Sequence, residues 1–174
     1  GEDRSAALLA LALTTLGVPA RSLRGAEAGL IATGDHGAGQ VTDVDPAPLC
    51  ELLDQDIVPI VAGFQAGRPD GEHVTLGRGG SDLTAVVLAT ALGASECHLI
   101  KDVNGVHTRD PRLAADAKPI ASLSHEQLLL LARSGARVVH AGAAAHARSS
   151  ALALRVYSYR APLAAGGTRI GTAA

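Results

Sequence analysis

The sequence contains no methionine and no tryptophan, and its only aromatic side chains are Phe64, Tyr157 and Tyr159. Rings cannot build its interior, so Leu, Val, Ile and Ala must, in a chain of 174 residues that is 47% hydrophobic and 18% charged. Cysteine is equally scarce. Cys50 and Cys97 are isolated and form no CxxC pair, which suits ordinary part-buried thiols in a reducing compartment; a bond between them stays open at this level. Disulfides and structural metals are not needed, because a chain of this length buries roughly 70% of its unfolded surface. It reads as one ordinary domain.

Charge of one sign is also missing. Fifteen Lys and Arg stand against 17 Asp and Glu, for a net charge of -2, so nothing is available to neutralise a nucleic-acid backbone or an anionic membrane. The most apolar stretch, Ala6 to Leu13, is far short of the roughly 20 residues that a bilayer requires. Neither nucleic acid nor membrane is therefore an expected partner. The 20 glycines and 8 prolines are scattered between apolar runs, which argues against linkers and low-complexity tracts, and no internal repeat is visible. Beyond His140, the histidines (His36, His73, His98, His107, His125 and His146) show no HExxH or paired spacing, so no protein-held metal site is expected. No GxSxG, Cys/His dyad or GxxxxGK[ST] occurs, which excludes a P-loop. Gly1-Glu2-Asp3-Arg4 leads straight into an apolar helical pattern with no basic region before it, so the start reads as cut, not native.

What is present is an alternation of helical and strand patterns. Ser5 to Leu16 is rich in Ala and Leu and ends at Gly17 and Pro19, a helix with a glycine cap and a breaker; its apolar residues run nearly all round, as for a helix packed on a sheet and covered outside. Ala20 to Leu23, Gly29 to Thr33 and Val41 to Val44 are candidate strands, and a helix opens at Pro46 behind Asp45 and runs to about Leu53. Ile57 to Ala62 is a β-branched run of the kind buried in a parallel sheet, and Gln65 to His73 reads as a hairpin tip or loop. A helix over Leu83 to Leu92 precedes a strand over Cys97 to Ile100. Ser124-His125-Glu126-Gln127 fits a capping box and starts a helix to about Ser134, with Gly135 at C′. A further helix spans about Ala143 to Ala151, followed by strands over Leu154 to Tyr159 and near Thr168 to Ile170. The pattern predicts an α/β fold with a mostly parallel sheet and helices on both faces.

Three segments carry chemistry. In Thr75-Leu76-Gly77-Arg78-Gly79-Gly80-Ser81-Asp82 the glycines Gly77, Gly79 and Gly80 allow close backbone approach, and a helix starting after Ser81 or Asp82 aims its free N–H groups into the same space. Arg78 adds a planar fork for a carboxylate or phosphate, which makes this an anion-binding loop. Lys101-Asp102-Val103-Asn104-Gly105-Val106-His107-Thr108-Arg109-Asp110-Pro111-Arg112 begins where a strand ends, the place where open α/β sheets bind ligands; Lys101 and Arg112 can reach phosphates and Asp102 can orient a hydroxyl or a metal-bound water. Gly135-Ala136-Arg137-Val138-Val139-His140 puts a cation just past a helix C-terminus, where by itself Arg137 reads as compensating the dipole.

These segments, together with Gly1-Glu2 through Ser5-Ala6, Val61-Ala62-Gly63-Phe64-Gln65 and Thr84-Ala85, resemble aspartate kinase, of the amino acid kinase fold, in the family's order and over essentially the whole chain. The resemblance implies a three-layer αβα sandwich, truncated at its N-terminus. It implies a cytoplasmic enzyme that phosphorylates the side-chain carboxylate of L-aspartate with ATP and Mg²⁺, for lysine, threonine and methionine biosynthesis. By match, Glu2 pairs with the aspartate ammonium, and Arg78, Ser81 and Asp82 hold the amino acid. Lys101, Asp102, His107, Arg112, Arg137 and Val138 fall on the nucleotide contacts. Typical members have Thr before the Asp, Tyr where His107 stands, Lys where Arg137 stands and His-Pro where His140-Ala141 stands. The family's N-terminal Lys-Phe-Gly-Gly-Thr strand and loop and its paired ACT regulatory domains are absent from these residues. The expectation is the C-terminal part of an amino acid kinase domain, inactive alone, with a homo-oligomer or a separate subunit completing it. The competing reading is a non-catalytic remnant of the fold that binds a nucleotide or a partner.

Overall fold

The computed structural model describes residues 1–111, 113–160 and 166–171. The chain divides into two compact units, Gly1–Leu92 and Gly93–Ala174.

The first unit runs α1 (Glu2–Thr15), β1 (Ala20–Leu23), β2 (Leu30–Thr33), β3 (Gln40–Val44), α2 (Ala47–Leu53), β4 (Val58–Val61), β5 (Gln65–Gly67), β6 (His73–Thr75) and α3 (Gly80–Ala91). Helix α1 stops as its sequence dictates: Gly17 takes φ +82°, its N–H reaches the Thr14 carbonyl, and the Val18 N–H reaches that of Leu13, the paired bonds of a Schellman end. Helix α1 packs on β1 and β4 through the small residues Ala6 and Ala10. Its outer face is not covered within the unit, for Leu8 and Leu11 are 66% and 63% exposed. Helix α2 starts at Ala47, one residue later than expected, with Pro46 and not Asp45 as its N-cap; the Asp45 carboxylate still accepts the Ala47 N–H at 3.0 Å.

Strands β1 and β4 pair in parallel, with Ala20 opposite Val58 and Leu23 opposite Val61. A second sheet has the order β3-β2-β5-β6. Here β2 and β3 are antiparallel with a bulge at Ile31/Ala32, β2 and β5 parallel, and β5 and β6 antiparallel. The segment read as a hairpin tip or loop is therefore a hairpin with short strands, its tip closed by the Arg68 N–H on the Glu72 carbonyl at 2.7 Å. Three-residue strands are too short for period-two alternation to register in sequence. The core gathers Leu30, Leu49, Leu52, Val74, Leu76 and Val87, aliphatic throughout as the shortage of aromatics requires.

The second unit runs β7 (Glu96–Lys101), β8 (Ser122–Leu123), α4 (His125–Arg133), α5 (Ala141–Ser149), β9 (Ala153–Ser158) and β10 (Thr168–Ile170). Its sheet has the order β7-β9-β10-β8, with β7 and β9 parallel over six residues, β9 and β10 antiparallel, and β10 and β8 parallel. The α/β class read from the sequence thus holds, with mixed pairing in the larger sheets. The capping box is complete: Ser124 Oγ accepts the Gln127 N–H, and Gln127 Oε1 accepts the Ser124 N–H at 2.8 Å. Helix α4 closes on Gly135 at φ +99°. Strand β8 escaped the sequence reading because two residues carry no pattern. Cys50 and Cys97 are both free thiols, and no described helix is long and apolar enough to cross a membrane.

One buried hydroxyl pins the long excursion after β7. Thr168 Oγ1 accepts the Val106 N–H at 2.7 Å and donates to the Ile120 carbonyl at 2.6 Å, with Thr168 itself fully buried. Replacing it with valine keeps the shape and orphans two buried backbone groups, each costing about 1–3 kcal/mol. Thr168→Val is therefore expected to lower the unfolding free energy by roughly 2 kcal/mol or more in urea titrations, while Thr168→Ser stays within about 1 kcal/mol of the parent.

Candidate functional site

The candidate residues fall on both units. In the first, the chain leaves β4 through Ala62 and Gly63 and reaches Phe64, whose φ of +71° is a left-handed conformation that a bulky residue adopts only under constraint. The constraint is visible. The Phe64 N–H donates to Thr84 Oγ1 at 3.2 Å, and the Thr84 hydroxyl donates back to the Gly80 carbonyl at 2.9 Å, so one buried side chain joins the end of β4 to the first turn of α3. On the other side of Phe64, the Gln65 amide donates to the Asp3 carboxylate, and Asp3 lies 3.6 Å from Arg24. The first turn of α1, which carries Glu2, is thereby tied to the same strand end.

Helix α3 begins at Gly80, earlier than the sequence indicated, and Gly79 caps it at φ +77° with no side chain in the way. Ser81 and Asp82 thus sit inside the first turn and not ahead of it. The physical reason is the glycine pair: Gly79 supplies the left-handed residue that turns the chain into the helix, and Gly80 can lie against its neighbours. A Cβ on Gly80 would come within 2.9 Å of Leu76 Cβ and 3.0 Å of Phe64 Cδ2. Arg78 and Ser81 are exposed and Asp82 is half-buried, at a helix N-terminus whose dipole favours anions. Within this unit Phe64 is tied to the first turn of α3 through Thr84, and its neighbour Gln65 is tied to Asp3, next to Glu2 in α1. Thr84 was read only as part of a matching stretch; a single threonine in an apolar helix gives no sign of its two partners.

In the second unit, β7 ends at Lys101, whose carbonyl accepts the Tyr159 N–H at 3.1 Å just beyond β9. Lys101 is half-buried and Asp102 exposed. Asn104 Oδ1 accepts the Ser158 N–H at 3.3 Å, which anchors the turn to the end of β9. His107 is half-buried, its Nδ1 3.3 Å from the Gly105 carbonyl oxygen, and it forms a bridge with Pro119 that closes the base of the loop. Arg112 lies outside the described residues. Arg137 is exposed in the short connection between α4 and α5, followed by half-buried Val138 and buried Val139. His140 ends the segment as the cap of α5, its Nδ1 accepting the Gly142 N–H at 3.3 Å.

His98 and His125 are engaged in contacts within the second unit. His98 lies 2.7 Å from Glu96 and 3.2 Å from the Tyr157 hydroxyl, and His125 Nε2 lies 2.8 Å from the Leu152 carbonyl. Burial pushes His146 below the ordinary histidine value. Among the described residues no group of three or more His, Cys, Asp or Glu could hold a metal ion.

Residues 1–158 match the model of the amino acid kinase family. The chain is 42% identical over 158 residues to the aspartokinase of Thermus thermophilus, covering 91% of this chain and 39% of that protein. It is 43% identical over 159 residues to the aspartokinase of Corynebacterium efficiens, covering 91% and 38%. Among solved structures it resembles Escherichia coli aspartokinase III in complex with aspartate and ADP, with a TM-score of 0.84 and 32% identity over 98% of this chain and 38% of that one. The aspartate kinase of Synechocystis superposes with a TM-score of 0.78 at 38% identity, over 95% of this chain and 26% of that one. The chain thus spans about two fifths of the curated relatives it matches.

The contacts of Gly80 give a direct check on this arrangement. Gly80→Ala is expected to lower stability by about 1–3 kcal/mol in urea unfolding, as overpacking does. The Phe64 amide should shift in its NMR spectrum, while the second unit's amides stay in place.

Proposed function

The chain belongs to the amino acid kinase family, and on that footing we propose that it is the C-terminal part of the kinase domain of an aspartate kinase, which transfers the γ-phosphoryl group of ATP to the side-chain carboxylate of L-aspartate. The observation that carries the reading is the exposed Arg78, held in a glycine turn at the N-terminus of α3. That turn is built for a carboxylate: a planar cationic fork, a helix N-terminus and an exposed hydroxyl at Ser81 converge on one surface. The aspartokinase names of the relatives and the aspartate and ADP in the E. coli structure support it.

In this reading Arg78 and Ser81 hold a carboxylate of aspartate, Glu2 and Asp82 its ammonium end, and the Gly77, Gly79 and Gly80 backbone lets the ligand approach. The groups of the second unit serve the nucleotide: Lys101, Arg112 and Arg137 meet phosphate charge, Asp102 orients the phosphate end, and His107 and Val138 line the nucleoside side. Mg²⁺, held mainly by the ATP phosphates, supplies charge neutralisation when bound. An aspartate carboxylate oxygen attacks the γ-phosphorus, the bond to the β,γ-bridging oxygen breaks, and ADP leaves with that electron pair. No protein nucleophile takes part, so catalysis here is positioning and fixed charge. The free thiols Cys50 and Cys97 suit the cytoplasm as the place of work. The partner that completes the enzyme is a further segment or a separate subunit carrying the phosphate-binding lysine, since the sequence holds two lysines, Lys101 and Lys118, and no Lys-Phe-Gly-Gly-Thr.

The test is an ATP-dependent hydroxamate assay with aspartate on the complete enzyme. Arg78→Ala should lower kcat/KM for aspartate at least about 100-fold, because a charge-assisted bidentate pair is worth about 3 kcal/mol, and Arg78→Lys should not restore it. Near-normal aspartate kinetics in Arg78→Ala would refute the assignment.

The 174-residue chain by itself should make no aspartyl phosphate, yet it should bind a non-hydrolysable ATP analogue weakly and only with Mg²⁺. In titration calorimetry Asp102→Ala and Arg137→Ala should each weaken that binding several-fold. No heat at millimolar nucleotide in a folded sample would favour a remnant that no longer binds nucleotide.

A further inference from the structure

The connection between β2 and β3, Gly34-Asp35-His36-Gly37-Ala38-Gly39, plays no part in the reading so far. It nevertheless reaches the anion-binding turn by a dense set of backbone contacts. The Gly37 and Gly39 N–H groups both donate to the Thr75 carbonyl, at 3.1 and 3.0 Å, and the Gly37 N–H also lies 2.7 Å from Thr75 Oγ1. Thr75 is the last residue of β6, which is an edge strand, and two residues later the chain enters the turn at Gly77. Gly77 in turn lies against this connection. It takes φ +79°, and a Cβ placed on it would come 2.3 Å from the Gly37 carbonyl oxygen. The far side of the turn is fixed by the Gly80 N–H on the Gly77 carbonyl at 3.0 Å. Arg78 therefore rides on a turn clamped between the first turn of α3 and the β2–β3 connection.

The geometry points to Thr75 as a positioning residue of the amino-acid site: its hydroxyl and carbonyl hold the β2–β3 connection against Gly77, and this fixes the aim of Arg78. The inference rests on the carboxylate role proposed for Arg78 and adds a residue that does not itself touch the substrate. Thr75 is half-buried and its hydroxyl accepts from a backbone amide, so removing that oxygen loosens the clamp without opening the core. The effect belongs to the acceptor side alone, because the nucleotide groups lie on the other unit.

The experiment uses the 174-residue chain, wild type, Thr75→Val and Thr75→Ser, in folded samples. Amide hydrogen exchange at Gly37, Gly39 and Gly77 to Gly79 is read by NMR, along with the order of the Arg78 side-chain Nε–H. Thr75→Val should speed exchange about three- to tenfold at Gly37, the factor expected for one lost hydrogen bond, with a smaller rise at Gly39, whose bond to the Thr75 carbonyl remains, and should raise exchange at Gly77 to Gly79 and Arg78 mobility. Thr75→Ser should return all of these to wild type. If Thr75→Val does not fold, Thr75→Ala takes its place. Titration with L-aspartate should then give a several-fold higher Kd in the valine variant, with the Kd for the Mg²⁺-bound ATP analogue unchanged. Unaltered exchange at Gly77 to Gly79 with unaltered Arg78 order would overturn the proposal, and so would an equal loss of aspartate and nucleotide binding. A wild-type chain that binds no aspartate would count against the carboxylate reading of Arg78, and the exchange measurements would still decide the role of Thr75.

Discussion

The side chain of Thr84 is the contact on which the turn between β4 and β5 and its hold on α3 depend. Its hydroxyl is buried, receives the Phe64 N–H, for which it is the partner at the sharp turn after β4, and donates to the Gly80 carbonyl one turn back in α3. The left-handed Phe64 is held by that bond, while the early start of α3 is set by Gly79 and Gly80. Through Gln65 and Asp3 the neighbouring residues reach the first turn of α1, so hydrogen bonds as well as packing hold the first turn of α1 and the first turn of α3 to this stretch of chain.

The second unit solves the equivalent problem in the same way. Thr168, from a strand near the end of the chain, accepts the Val106 N–H and donates to the Ile120 carbonyl, and this closes the loop that starts at Asp102 and carries His107. In both units a threonine hydroxyl, able to give one hydrogen bond and accept another, stands where a loop must be held to a sheet or helix without a ligand present. Such loops are preorganised: their cost in order is met by folding and not by substrate binding. A core of Leu, Val, Ile and Ala with almost no aromatic rings packs the scaffold, and the polar work is left to a few buried hydroxyls.

The elements with their own chemistry were legible before any coordinates. Gly17 and Pro19 stop α1, Asp45 and Pro46 start α2, and Ser124 with Gln127 starts α4, because caps and breakers act over a few residues and depend on nothing remote. The strands β5, β6 and β8 were not legible as strands, since two or three residues carry no periodicity and pair only because a partner is present. The outer face of α1 was misread for a related reason: Leu8 and Leu11 gave an all-round apolar pattern that suggested cover on both sides, while within its unit only the small Ala6 and Ala10 face is covered.

For the site the division is sharper. The sequence by itself determined its chemical inventory: a cation inside a glycine turn ahead of a helix, a charged loop behind a strand, and a second cation past a helix end, each recognisable because the residue types set what the segment can bind. The tertiary structure alone decided which of these are held and by what. Thr84 on Phe64 and Gly80, Thr168 on Val106 and Ile120, and Thr75 on Gly37 and Gly39 join residues 4 to 62 positions apart. A threonine has the same letter whether its hydroxyl faces water or closes a turn, and only the folded chain places a backbone donor within reach of it.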